Sequence, residues 1–229
     1  MFSKKILVTI SLGIGTALLL VLSPRWSWSL TPQDVIAQVQ ARYDRAGSFK
    51  TWFKQQSRLG TAGSEEKAEG WMYFQKPCRM RWQYESHPVQ KEEWISDGRQ
   101  VWRYIPQENL VMIYPLNQVL RSDLVMRFFS GMGQFSQDFQ ISWHRPPEAG
   151  SYFIIDLIPK KSQAELKRLT LTINPRTYLV ENLEFTNALG EETRFAFSQI
   201  QLEVKLSADF FIFTPPPGVQ VVREGPGSP

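Results

Sequence analysis

The sequence is poor in cysteine and histidine, the residues on which much metal binding and nucleophilic catalysis depends. Cys78 is the only cysteine, and His87 and His144 are the only histidines among 229 residues. A single cysteine excludes an intramolecular disulfide, so packing must supply the stability of the fold. The two histidines lie in the segments His87-Pro88 and His144-Arg145-Pro146, and prolines so close in sequence are typical of turns. We therefore expect no metal site and no cofactor, and we expect Cys78 to be an ordinary small residue of a strand.

Recognisable catalytic motifs are lacking too. The chain has no G-x-S-x-G elbow, no H-E-x-x-H helix and no phosphate-binding loop with its lysine. The segment Gly131-Met132-Gly133 is too short to be a nucleotide signature. We therefore expect that this protein is not an enzyme.

A strong excess of charge of one sign is lacking once the first residues are set apart. The whole chain carries 26 basic and 22 acidic residues. Residues 1–29 hold three of the basic residues and no acidic one, which leaves 23 basic residues against 22 acidic ones. Nucleic-acid binding needs a concentrated basic excess, so we do not expect nucleic acid as a partner.

Residues 1–29 have the pattern of an export signal. Two lysines precede an uncharged apolar run at 6–22, and Ser27 and Ser29 place small residues at positions −3 and −1 of a cleavage site. This pattern predicts a signal peptide followed by a mature domain at 30–229 in the periplasm. The apolar run is also at the short limit for a membrane-spanning helix, so an uncleaved anchor is the alternative. No cysteine directly follows the run, and a lipid-modified N-terminus is therefore not expected.

Apolar and aromatic residues are abundant, at 42% and 13% of the chain, and they predict a folded domain. One helix comes first: Thr31 and Asp34 have the spacing of a capping box, apolar residues recur at helical intervals, and Gly47 ends it. From Phe49 onward the pattern alternates with period two, which predicts antiparallel strands in a single domain. The predicted strands are 49–58, 69–76, 79–85, 91–96, 100–105, 109–114, 138–143, 151–158, 166–173, 178–186, 193–202 and 209–213.

Turn residues separate several of the predicted strands. Asp97-Gly98, Asn174-Pro175 and Leu189-Gly190 predict hairpin turns. Within 118–135 the strand pattern gives way to a short apolar helix, which Ser122 would cap and two glycines would end. Such a helix would serve as a lid. Its apolar residues are Leu124, Val125, Phe128 and Phe129.

The inner face of the sheet can be predicted from the positions of the charges. In 79–85, Arg79 and Arg81 alternate with Met80, Trp82 and Tyr84, so the two sets lie on opposite faces. We assign the uncharged aromatic face of each strand to the inside. The residues so assigned are Phe49, Phe53, Met72, Phe74, Met80, Trp82, Tyr84, Trp102, Tyr104, Phe153, Ile155, Leu183 and Phe185.

The predicted inner face depends on simple alternation along each strand. Trp102 and Tyr104 are assigned to it because they alternate with Arg103, whereas Glu181 breaks the alternation of its strand, which predicts a β-bulge. The inner face is either an ordinary packed core or the wall of an apolar cavity, since a curved sheet covered only by helices can leave such a space.

Four segments of the sequence together resemble the LolA family of periplasmic lipoprotein carriers, from about residue 31 to 222. They are "EGWMYFQKPCRMRWQY", "EWISDGRQVWRYIPQENLVMIYPL", "LIPKKSQAELKRLTLTINPRTYLVENLEFTNALGEETRFAF" and "FFIFTPPPGV". The resemblance implies an incomplete antiparallel β-barrel, covered by an N-terminal helix and a short lid helix and enclosing a hydrophobic cavity. That cavity would bind the acyl chains of lipoproteins.

The resemblance also implies partners. A monomeric carrier would take acylated lipoproteins from an inner-membrane ABC transporter and deliver them to an outer-membrane acceptor lipoprotein, without using nucleotide. In the family a basic residue before the proline of the second strand pair, usually arginine, holds the lid closed. Lys76, before Pro77, has this position here and keeps the charge without the planar fork of donors. An envelope carrier or sensor of another lipid or glycolipid, with the same half-barrel, is the alternative function.

Overall fold

The computed structural model of the protein describes residues 30–60, 64–85, 92–122, 135–162 and 166–224. These residues form three α-helices, two 3-10 turns and twelve strands. The helices are α1 (Pro32–Ala46), α2 (Leu116–Ser122) and α3 (Phe135–Asp138), and the 3-10 turns are Pro106–Glu108 and Ala208–Phe211. The strands are β1 (Ser48–Leu59), β2 (Ser64–Gln75), β3 (Arg79–Tyr84), β4 (Glu93–Asp97), β5 (Gln100–Ile105), β6 (Leu110–Pro115), β7 (Phe139–Trp143), β8 (Phe153–Pro159), β9 (Arg168–Ile173), β10 (Val180–Thr186), β11 (Glu192–Leu202) and β12 (Gln220–Arg223).

All twelve strands belong to one sheet in the order β12-β6-β5-β4-β3-β2-β1-β11-β10-β9-β8-β7. The sheet consists of two meanders, β1 to β6 and β7 to β11, which join where β1 pairs with β11 in antiparallel orientation. At one edge β12 pairs with β6 in parallel orientation. In the described part of the chain the two edge strands, β12 and β7, do not pair, so the sheet is open. The predicted mostly-β fold with an unclosed sheet is confirmed, and the parallel edge strand was not predicted.

Helix α1 begins with the predicted capping box. The backbone N–H of Asp34 donates to Thr31 Oγ1 at 3.2 Å, and the backbone N–H of Thr31 donates to Asp34 Oδ2 at 3.0 Å. Gly47 ends the helix with a φ of +67°, a conformation that glycine adopts without strain. Because Thr31 donates to the Asp34 carboxylate, the pKa of Asp34 is lowered from its ordinary value.

The apolar side of α1 packs against the inner face of the sheet. Val35, Ile36 and Val39 are buried there, and Gln33 Nε2 donates to the carbonyl of Ile141 in β7 at 3.1 Å. The same apolar cluster contains side chains from strands of both meanders and Val119 of α2. The sheet therefore curves around α1 and presents one continuous apolar inner face.

The outer face of the sheet carries a second, smaller apolar cluster. The segment that follows β11 crosses this face, where Phe213 and Val219 pack against residues of β4, β5 and β6. The predicted strand 209–213 is wrong, because most of this segment forms the 3-10 turn Ala208–Phe211 with Phe211 fully buried. The strand that follows it, β12, was not predicted.

Most of the predicted turns and irregularities of the sheet are present. The turns at 97–98, 174–175 and 189–190 join consecutive strands as predicted, and the register shift between Val180 and Asn182 confirms the bulge at Glu181. Two predictions are wrong. Cys78 lies in the turn between β2 and β3 at a φ of +56°, and Ser122 belongs to a helix that has already begun at Leu116.

Candidate functional site

The centre of the inner face is a cluster of aromatic rings around Trp82. The centroid of the Trp82 ring lies 6.1 Å from that of Phe53, 6.2 Å from Phe74, 6.5 Å from Tyr84 and 6.2 Å from Phe195. These residues come from β1, β2, β3 and β11, so the cluster spans the junction of the two meanders. Trp82 is only 3% exposed. Aromatic rings packed in this way favour contact with apolar groups over contact with water.

Gly70 in β2 provides the space in which two of these rings meet. It pairs with Phe53 of β1 on one side and with Tyr84 of β3 on the other, and the two rings form an edge-to-face pair 5.1 Å apart. A Cβ atom at Gly70 would lie 1.9 Å from the carbonyl oxygen of Gln83. Close approach of neighbouring backbone therefore requires glycine at this position.

The inner face changes from apolar to polar along β1. Near the start of the strand, Phe49 stacks on Phe74 with ring centroids 4.8 Å apart. Near its end, Gln55 Nε2 donates to Ser57 Oγ at 3.1 Å, Thr193 Oγ1 donates to the same oxygen at 3.1 Å, and the Tyr84 hydroxyl lies 3.4 Å from Gln55 Oε1. One end of the surface therefore suits hydrocarbon and the other suits hydrogen-bonding groups.

Eleven of the thirteen residues predicted for the inner face lie in or against the apolar cluster around α1. That they contact a ligand stays a prediction. Eight are buried in the cluster and three, Tyr84, Phe153 and Phe185, are half-buried against it. The eight buried residues are Phe49, Phe53, Met72, Phe74, Met80, Trp82, Ile155 and Leu183.

The prediction for Trp102 and Tyr104 is wrong, because both lie on the outer face of the sheet. Antiparallel pairing places Trp102 beside Ile95, and Ile95 is paired in turn with Arg81. Trp102 therefore shares a face with Arg81, and it is buried there because Phe213 covers it. Alternation of charge misled the assignment, since the charged neighbour Arg103 points to the inner face in this strand.

Arg103 is tolerated on the inner face because its charge is neutralised there. Its Nε and Nη2 atoms donate to the two carboxylate oxygens of Glu92 at 2.7 and 3.1 Å, and the guanidinium lies 5.3 Å from the centroid of Trp94. The Trp94 ring stacks on Tyr114, and its indole N–H donates to Glu92. The hydrogen bond with Glu92 raises the pKa of Arg103. This inward-facing group of Arg103, Glu92, Trp94 and Tyr114 was not predicted from the sequence.

Lys76 holds the C-terminal end of α1. Its ammonium group lies 2.5 Å from Asp44 Oδ1 and 3.4 Å from the backbone carbonyl oxygen of Asp44, and its backbone N–H donates to the carbonyl of Gly47 at 2.8 Å. Lys76 follows β2, so these contacts connect the helix to the sheet. The predicted lid residues Leu124, Val125, Phe128 and Phe129 lie outside the described residues, and the contact of Lys76 with a lid stays a prediction.

An open groove of about 840 Å³ lies mainly over the outer face of β9, β10, β11, β1 and β2. Its walls carry charged and hydroxyl side chains, with ion pairs between Arg194 and Glu184 at 2.8 Å and between Lys54 and Glu69 at 3.7 Å. Such walls favour water over hydrocarbon. The inner face is therefore the better candidate for an apolar ligand.

The described residues offer little for metal binding or for nucleophilic catalysis. Within the described ranges, no group of three or more histidine, cysteine, aspartate or glutamate residues is placed to hold a metal ion. Burial raises the pKa of the Cys78 thiol, which keeps it protonated and a poor nucleophile at neutral pH. None of the described helices is long and apolar enough to cross a membrane.

Comparisons of the sequence with known proteins agree on one family. The sequence pattern described as "Outer membrane lipoprotein carrier protein LolA" matches residues 44–214. The chain is 29% identical over 158 residues to an outer-membrane lipoprotein carrier protein of Nitrosomonas europaea, covering 69% of this chain and 74% of that one. It is 25% identical over 199 residues to the protein of the same name from Pseudomonas paraeruginosa, covering 86% and 92%. The fold is similar to that of a conserved protein from Thermus thermophilus, with a TM-score of 0.54, 13% identity and coverage of 82% and 99%. This chain belongs to the LolA family of outer membrane lipoprotein carrier proteins.

Proposed function

We propose that this protein is a periplasmic carrier that binds the acyl chains of lipoproteins on the inner face of its sheet and delivers them to the outer membrane. The observation that carries the proposal is the continuous apolar inner face, which is rich in aromatic rings and is covered by α1, the one long helix among the described residues. The family supports the class of cargo. The protein acts by binding alone, without a catalytic step.

The energy available from an acyl chain fits such a role. Burying one methylene contributes about 0.8 kcal/mol, so a chain of about 16 carbons gains roughly 12 kcal/mol on leaving water. A bilayer or a second apolar cavity offers the chain a similar gain. Transfer between two such environments is therefore close to balanced, and escape into water is slow.

Helix α1 supplies the interaction that an acyl chain would replace. It buries three aliphatic side chains on the sheet, those of Val35, Ile36 and Val39. At about 1.5 to 3 kcal/mol for each side chain, separating α1 from the sheet costs roughly 5 to 9 kcal/mol. One acyl chain can offset this cost, so cargo binding can displace the helix without nucleotide hydrolysis by the carrier.

The proposed route places the protein between two membranes. Residues 1–29 direct export, a lipoprotein-releasing ABC transporter of the inner membrane supplies the cargo, and an acceptor lipoprotein of the outer membrane receives it. A monomer is sufficient for both transfers, because the inner face belongs to one chain.

Mass spectrometry of material that co-purifies with the protein from the periplasm tests the class of cargo. We expect triacylated lipoproteins in stoichiometric amount. Recovery of phospholipid or glycolipid without lipoprotein would contradict the proposed cargo and favour a carrier or sensor of another envelope lipid.

A pair of matched variants tests the binding surface. Phe185 on the inner face and Tyr73 on the outer face are both half-buried aromatic residues. Phe185→Gln should weaken binding of a fluorescent acyl probe severalfold, and Tyr73→Gln should leave binding unchanged while both variants keep the circular dichroism spectrum of the parent protein. Equal binding by the two variants would contradict the assignment of the inner face.

A further inference from the structure

The indole nitrogen of Trp82 is a buried hydrogen-bond donor without an acceptor among the described residues. The residue is 3% exposed and comes from the centre of the apolar inner face. An amide-like group buried without a partner costs about 1 to 3 kcal/mol relative to the same group in water or in a hydrogen bond. Phenylalanine would fill most of this space without that cost. The position therefore carries a polar atom that the packing of the protein does not use.

Two other polar side chains on the same face, those of Thr51 and Trp94, donate to acceptors of the protein. Thr51 is paired with Met72, which is paired in turn with Trp82, and its Oγ1 donates to the carbonyl of Ser198 at 2.8 Å. The Trp94 indole N–H donates to Glu92. Trp82 differs from these residues because four aromatic rings surround it in the described structure. A ligand that supplies an acceptor in this cluster would satisfy the donor.

The position of Trp82 along the inner face indicates which part of a lipid it would meet. Phe49 and Phe74 lie toward the apolar end, and Gln55 and Ser57 lie toward the polar end. Trp82 lies between the two, since it is paired through Met72 with Thr51, which stands between Phe49 and Gln55 in β1. An acyl lipid has the same sequence of parts: a hydrocarbon chain, then a carbonyl group, then a polar backbone.

We propose that Trp82 donates its indole N–H to an acyl carbonyl oxygen of the bound lipid, with the chain toward Phe49 and the polar backbone toward Ser57. This inference rests on the proposed function and adds to it a specificity: the protein prefers ester- or amide-linked chains over ether-linked or bare hydrocarbon. The ring of Trp82 contributes apolar contact to any chain, whereas its nitrogen contributes only to chains that carry a carbonyl group.

Competition against a fluorescent acyl probe tests the preference. The competitors are a diacylglycerol and a dialkylglycerol of equal chain length, which differ in the carbonyl oxygens. A net hydrogen bond of ordinary strength corresponds to a factor of about 2 to 12 in affinity. We expect Trp82→Phe to lower the ester-to-ether affinity ratio by this factor, and Trp102→Phe, on the outer face, to leave the ratio unchanged. An unchanged ratio in Trp82→Phe would overturn the inference, whereas failure of both lipids to bind the parent protein would overturn the proposed function itself.

A measurement on the unaltered protein keeps the test independent of the folding of the variant. In nitrogen-15-labelled protein, the indole proton of Trp82 should move downfield when the diacylglycerol binds and should move less when the dialkylglycerol binds. Equal shifts with both lipids would show that the donor stays without an acceptor, and would also overturn the inference.

Discussion

The contact between Lys76 and Asp44 predicts how firmly α1 is held. The two side chains are 35% and 54% exposed, so their ion pair is worth about 0.2 to 1 kcal/mol. Lys76 also places a positive charge at the C-terminal end of the helix, where the dipole favours it. Lys76→Met removes the charge and keeps most of the stem. Local opening of the last turn of α1 should then become about 1.4 to 5 times more frequent.

Hydrogen exchange of the backbone amides at 40–46 measures this opening. We expect exchange there to accelerate by the same factor, while the melting temperature falls by no more than about 4 °C, as for a change of up to 1 kcal/mol in a domain of this size. The exchanged pair, Lys76→Asp with Asp44→Lys, should restore part of the protection. Lys54→Met is the matched control, because it removes an exposed ion pair with Glu69 away from α1.

Two outcomes would refute the reasoning. Faster exchange at 118–135 with unchanged exchange at 40–46 would mean that Lys76 acts on the segment predicted as a lid and not on α1. Unchanged exchange in both segments would mean that the contact with Asp44 contributes nothing and that Lys76 is a solvated surface residue.

Three further predictions concern stability. Gly70→Ala should lower the free energy of unfolding in urea by at least about 1 to 3 kcal/mol, because the new Cβ would lie 1.9 Å from the carbonyl oxygen of Gln83; parental stability would contradict the close approach. Tyr43→Phe should cost about 1 to 3 kcal/mol by the same measurement, because it leaves a backbone N–H of β10 without the hydroxyl oxygen that accepts its hydrogen bond at 3.2 Å; a loss near zero would contradict that bond. Thr31→Ala should raise the pKa of Asp34, measured by NMR, toward its ordinary value of 3.8. It should also remove the stability that these hydrogen bonds provide above pH 3.8, which the parent protein loses as the pH falls through the lowered pKa. An unchanged pKa would mean that the hydrogen bonds from Thr31 do not lower it.

The sequence predicted those features whose causes are local. Helix α1 was predicted because its capping residues and its apolar spacing lie within one segment. The aromatic part of the inner face of β1 to β3 was predicted because the charged residues that alternate with it, such as Lys50, Lys54 and Arg81, lie on the outer face. In β5 the same reasoning failed. Arg103 faces inward there, and Glu92, the residue before β4, neutralises it. The hairpin turn at Asp97-Gly98 was the better guide to which residues of β5 face inward. A short hairpin loop fixes the pairing of Ile95 with Trp102 regardless of the charges in the two strands.

Features that depend on distant segments could not be predicted. Residues 209–213 were assigned to a strand, but this segment crosses the outer face, where Arg81 donates to the carbonyl of Phe210 at 3.0 Å. The partner of Lys76 was likewise unknown, because Asp44 is 32 residues away in the sequence. The unpaired nitrogen of Trp82 depends on the three-dimensional packing of four strands, and no sequence pattern contains that information.

The order of the strands has a consequence for how the chain folds. Each of the two meanders consists of neighbours in sequence, so its hairpins close only short loops. Pairing of β1 with β11 instead joins segments such as Phe53 and Phe197, which more than half of the chain separates. We expect the meanders to form early and the β1–β11 pairing to limit the rate of folding, because long loops cost entropy before their contacts form. Substitutions at this seam should therefore slow folding, whereas those in outlying hairpins should mainly accelerate unfolding.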